Sequence, residues 1–120
     1  MSIEKTAEFL ADCLSNMPPQ KGEVKVVVDT AIDGLKMIAQ GREWPAKEAS
    51  EAAGAAANAA VYGARAAVRA AWAVTWAADW ASATATSGAI DRAANWAALA
   101  HPDPAKERAR QAKVREELGL

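Results

Sequence analysis

The chain has 120 residues, of which 52% are hydrophobic, and a formal net charge of −1 from 14 basic and 15 acidic side chains. That length suits one domain, and the near-balance of charge argues against a general nucleic-acid binder, which would carry a basic excess or a basic face. The single cysteine, Cys13, forms no internal disulfide, so the fold needs no oxidising compartment.

The start, Met1-Ser2-Ile3-Glu4-Lys5, lacks the basic-then-apolar pattern of a secretion signal, and a cytoplasmic location is expected. Residues 2–16 read as a first helix. Ser2 is a candidate N-cap, and Glu4 suits the positive end of the helix dipole. Ile3, Ala7, Leu10 and Leu14 follow helical spacing, with Phe9 and Cys13 widening the stripe. Met17-Pro18-Pro19 ends the element, because a residue before proline avoids the α region.

Residues 23–40 read as a second helix. Val24, Val27, Val28, Ala31, Ile32, Leu35 and Ile38 recur at steps of three and four. The β-branched run Val24-Lys25-Val26-Val27-Val28 has strand character, but the helical period continues to Ile38 and Gly41 is placed as a C-terminal stop. Trp44-Pro45 opens the next element, with Pro45 at the first helical position. From there to residue 83 no proline interrupts. One very long helix or two antiparallel ones fit the pattern. Two are expected, with a break near Asn58 or at Tyr62-Gly63.

Of residues 46–100, 26 are alanine, the residue with the strongest intrinsic helix preference. Asn58, Arg65, Arg69 and Asp79 interrupt this run, so it is not read as a membrane span. Thr84-Ala85-Thr86-Ser87-Gly88 is a turn signal, with Ser87 a candidate N-cap for a helix over 87–100. His101-Pro102-Asp103-Pro104 stops that helix. Asp103 then caps a last one over 104–118, whose thin apolar stripe is Ala105, Ala109, Ala112 and Leu118. The expected architecture is all-α, a compact bundle of five or six helices with an alanine-rich, close-packed core whose gaps the tryptophans fill.

No constellation for catalysis stands out. His101 reads as a cation at a helix end, without an identifiable partner to make it a general base. Cys13 reads as a small core hydrophobe. One cysteine and one histidine leave a metal site to carboxylates, and pairs such as Asp29 and Asp33 read as a solvated face. No metal, cofactor or catalytic residue is expected. Trp72, Trp76 and Trp80, spaced by four, form one ridge that Val61 and Val68 extend. The ridge reads first as core. Three indoles in a row exceed the cover that thin alanine helices provide, so part of it is also a candidate partner-binding surface. Arg65 and Arg69, one turn apart, pair within the fold, stack on Trp72, or contact carboxylate or phosphate on a partner.

Several segments resemble the alanine-rich immunity proteins of bacterial genomes and related alanine/tryptophan-rich small phage proteins. They are Leu10-Ala11-Asp12-Cys13, Ile32-Asp33-Gly34-Leu35 followed by Gln40-Gly41-Arg42-Glu43, the alanine run 46–83, and Asp103-Pro104-Ala105-Lys106-Glu107-Arg108-Ala109-Arg110-Gln111. That family usually carries histidines in its alanine-rich part, whereas the lone His101 lies outside it. The resemblance implies a helical domain that acts by binding a partner. The expected function is therefore non-enzymatic: stoichiometric neutralisation of a bacterial protein target, either a toxin or a defence-system component as with an anti-CRISPR. Self-assembly, with a homodimer as its simplest form, is the alternative. A small-ligand binder with a tryptophan-lined pocket comes third.

Overall fold

The computed structural model describes residues 2–61, 63–82 and 88–120. Six helices run through them: α1 (Ile3–Ser15), α2 (Gly22–Ala39), α3 (Ala46–Ala60), α4 (Arg65–Ala81), α5 (Ala89–Leu99) and α6 (Pro104–Leu118). There is no strand among the described residues, and the fold is all-α.

Local chemistry sets the helix ends. Ser2 is extended, and its hydroxyl accepts the Lys5 backbone N–H at 3.2 Å, capping α1. Helix α2 closes in a Schellman turn. Gly41 takes a positive φ of 75°, its N–H reaches the Ile38 carbonyl at 3.0 Å, and the Arg42 N–H reaches Met37 at 2.8 Å. Asp103 accepts the Lys106 N–H at 3.1 Å, with Pro104 in the first turn of α6.

The valine run is helical because its burial is helical. Val24, Val27, Val28, Ala31 and Leu35 face inward, while Val26 stands 63% exposed on the other side. Pro45 lies one residue outside α3. Its ψ of 134° is extended, and its carbonyl accepts the Ala49 N–H at 3.0 Å, so it acts as the N-cap and Ala46 starts the helix. The long alanine stretch divides after Ala60. Val61 caps α3 by a tightened bond to Asn58 at 3.2 Å, and Ala64 is extended before α4. Val61 therefore lies off the α4 face that carries the tryptophans. The turn signal at Thr84–Ser87, including Ser87 as a cap, lies outside the described residues.

Helix α3 packs most extensively on α4, α4 on α5, and α1 on α2. Two kinds of core result. Between α1, α2 and α4 the largest fully buried side chains are Phe9, Leu10, Leu14, Leu35 and Val74. Between α3, α4 and α5 the contact is alanine on alanine, with Ala49, Ala56, Ala70, Ala73, Ala77 and Ala97 fully buried. Trp44 is the deeply buried indole, at 6% exposure, and it lies on Gly34, where a Cβ would fall inside the ring.

Helix α6 does not attach through the alanine stripe expected of it. Ala105, Ala109 and Ala112 are exposed, and the buried residues are Glu107 and Gln111. Val114 and Leu118 add partly buried apolar contact. The reason is a polar seam: hydrogen bonds to α1 and α5 turn the charged face of α6 inward.

Candidate functional site

The five residues singled out on α4 separate into two groups. Trp72, Trp76 and Trp80 are all half-buried. Trp76 and Trp80 pack on the core, and the Arg92 guanidinium lies 4.8 Å from the centre of the Trp76 ring. The ridge thus belongs in large part to the packing of the bundle.

Arg65 and Arg69 lie at the start of α4, beside the end of α5. With Ala66 they form one wall of an open cleft of about 330 Å³, and Leu99, Ala100, His101 and Pro102 form the other. An Arg69 amino group donates to the Leu99 carbonyl at 3.0 Å, satisfying an open carbonyl at the end of α5. Arg65 is exposed and has no partner among the described residues. No acid lines this cleft. The α4 N-terminus has no side-chain cap and no acid in its first turn, so the positive end of the helix dipole adds to the same potential.

His101 and Pro102 also line a second cavity, of about 400 Å³, completed by Asn16 of α1 and by Asp103, Lys106, Glu107 and Arg110. Its floor is the polar seam. The Glu107 side chain is 4% exposed. One of its oxygens accepts from Asn16 Nδ2 at 2.9 Å and Arg110 Nε at 2.7 Å, the other from Arg110 at 2.8 Å and Gln111 at 3.4 Å. Arg110 reaches on to Asp12 of α1 at 2.9 Å, and Gln111 donates to the Ala94 carbonyl of α5 at 2.9 Å. Burial pushes the Glu107 carboxyl up. The hydrogen bonds and charge of Arg110, with His101 and Asn16, outweigh it and hold the group below the ordinary carboxylate range. Arg110 is raised in turn, by its hydrogen bond to Glu107 against burial, with Asp12 assisting.

His101 Nε2 is the exception in this seam. It is buried without a hydrogen-bond partner among the described residues, and the nearest Glu107 oxygen is 3.7 Å away, beyond hydrogen-bond range. Both Glu107 oxygens are already engaged by Asn16, Arg110 and Gln111. Cys13 lies close by, buried, its thiol pushed up to about 12 by burial first and then by Asp12, which keeps it a neutral thiol. Among the described residues no group of three or more histidine, cysteine or acidic side chains could hold a metal ion. No described helix is long and apolar enough to cross a membrane.

A third groove, of about 710 Å³, runs between α2 and α3 along Val26, Val27, Ala55 and Asn58. Tryptophan lines none of these three spaces. Sequence reading finds Arg65 and Arg69 but not His101 with Glu107 as a centre. The signal for Glu107 with Arg110 and Gln111 is local spacing, whereas Asn16 and Asp12 come from α1, far away in the chain. Comparison of the chain with family models, curated proteins and solved structures finds no match.

Proposed function

We propose that this chain is a non-enzymatic interaction protein that neutralises a partner protein by stoichiometric binding, through the edge where α4 begins and α5 ends. The carrying observation is the Arg65–Arg69 cleft: two guanidinium groups on one open wall, one of them unpaired, with no acid facing them. A cation at the positive end of a helix is electrostatically misplaced for folding. Such a local conflict without a compensating contact marks a functional position. The resemblance to alanine-rich immunity proteins supports the same class. Within it the partner is a bacterial toxin or a defence-system component, the latter making the chain a phage-encoded inhibitor of the anti-CRISPR kind, acting in the cytoplasm.

The test is affinity capture from bacterial lysate followed by native mass of the eluate, run in parallel on the Arg65→Glu/Arg69→Glu double variant. A partner held at fixed stoichiometry by the parent chain and lost by the variant is the expected result. Elution of the chain alone, as a defined oligomer, would replace this reading with self-assembly. A partner held equally by the variant would move the binding surface elsewhere.

A further inference from the structure

We propose that the Arg65–Arg69 cleft and the His101 cavity form one groove for an acidic segment of the partner protein, with a carboxylate subsite on each side of Pro102. This rests on the binding reading above and names the chemistry of what is bound.

The two spaces share a wall, because His101 and Pro102 line both. On one side stand Arg65 and Arg69. On the other stands Lys106, exposed and without an ion pair among the described residues. Two acids also line that side. Arg110 holds Glu107 in a two-point ion pair at 2.7 and 2.8 Å, and Asp103 is engaged at the α6 N-terminus, where it accepts the Lys106 backbone N–H at 3.1 Å. One of the donors is fixed in advance: Arg69 is anchored on the Leu99 carbonyl, so little of its side-chain freedom is lost on binding.

Between the subsites stands His101, which lines both spaces. Its Nε2 is buried and turned toward Glu107, 3.7 Å away, so the imidazole forms part of the wall and senses a segment lying across it. The wall itself includes Leu99 and Pro102, which suits an apolar residue between two acidic ones. This mixture favours a peptide over a nucleic acid. The cations stand at separate points with Leu99 and Pro102 in the wall between them, which does not provide the continuous basic track that a phosphate backbone follows.

The experiment uses three labelled probes on the full chain: a twelve-residue peptide of Glu-Leu-Glu repeats, the same peptide with every Glu replaced by Gln, and a single-stranded oligonucleotide of equal length. Fluorescence anisotropy gives the affinity. The lone histidine gives a single imidazole signal by NMR, which locates the binding. Saturable binding of the Glu peptide is expected, with the His101 signal shifted, and binding about tenfold or more weaker for the Gln peptide. Lys106→Glu and Arg65→Glu, both on exposed side chains, are each expected to weaken the Glu peptide by a similar factor. Equal affinity for the Glu and Gln peptides, no binding of either, an unmoved His101 signal, or tighter binding of the oligonucleotide would overturn the proposal. If a captured partner still depends on Arg65 and Arg69 while the Glu peptide fails to bind, the acidic-groove inference falls and the stoichiometric reading stands.

Discussion

Gly34 and Trp44 show how a single side chain is accommodated. The indole occupies the place where any β-carbon at position 34 would stand, and Trp44 is itself buried, so it has nowhere to yield. Gly34→Ala should destabilise the fold by about 1–3 kcal/mol through overpacking, despite alanine's better helix propensity. Urea unfolding checks this, with a lower midpoint at unchanged slope. Glu107 carries a different kind of prediction. Folding lowers its pKa, so its contribution is fully present above the ordinary value of 4.5 and is lost as pH falls through the lower folded value. Glu107→Gln should therefore be less stable than the parent at neutral pH, by about 1–3 kcal/mol, with the gap closing in acid. Thermal melts across that range measure it. Cys13 has the opposite sign. Its pKa is raised from 9.0 to about 12, so its contribution is intact below 9.0 and declines as pH rises beyond that. Alkylation of the native chain near the ordinary thiol pKa should be slow, and fast once urea unfolds it.

At the scale of elements, punctuation was legible and long-range polar contact was not. Ser2, Gly41, Asp103 and Pro104 act locally, through bonds spanning a few residues, so their residue types announce the helix ends. The valine run resolves as helix because the period of buried positions outlasts the β-branched stretch. Pro45 stands one position outside the helix because its ψ of 134° is extended while its carbonyl already accepts the Ala49 N–H. Helix α6 buries a different face from the one its pattern predicts. Its alanines satisfy an apolar stripe by pattern, yet Glu107 and Gln111 have the partners that make burial affordable, and those partners sit on α1 and α5. For the candidate site the same division holds. Arg65 and Arg69 are visible as a pair on one helix, but nothing near them in sequence shows that His101 stands opposite. Since α6 is fastened by charge and hydrogen bonds on a partly exposed seam, breaking one strut should loosen it before the rest. Asp12→Ala is expected to cost about 0.2–1 kcal/mol, the range for a solvent-accessible pair. Amide exchange should speed up in α6 while α3 and α4 keep their protection.

Across the whole molecule the bundle measures 35 × 34 × 22 Å, and the short dimension leaves room for two helix layers at the usual spacing of about 8–10 Å. Alanine makes such layers possible on one side of the fold, because α3, α4 and α5 approach with only methyl groups between them. Each methyl buries little area, so the interface depends on closeness and on the absence of voids. Two substitutions two residues apart, on opposite faces of α3, separate that idea from simple helix propensity. Gly54 stands exposed in the helix interior with nothing near its absent Cβ, so Gly54→Ala should stabilise the protein by about 0.5–1 kcal/mol. Ala56 is fully buried, and Ala56→Leu adds three carbons where no space is left, so it should destabilise by about 1–3 kcal/mol. Both residues favour helix over glycine, and leucine is far the more hydrophobic. A propensity or hydrophobicity account therefore predicts that Ala56→Leu is neutral or stabilising. Equilibrium unfolding of the two variants decides the matter: opposite signs mean that close approach holds α3 on α4, whereas a stable Ala56→Leu would mean that the interface has slack and that the aliphatic core around Phe9 and Leu35 holds the bundle together.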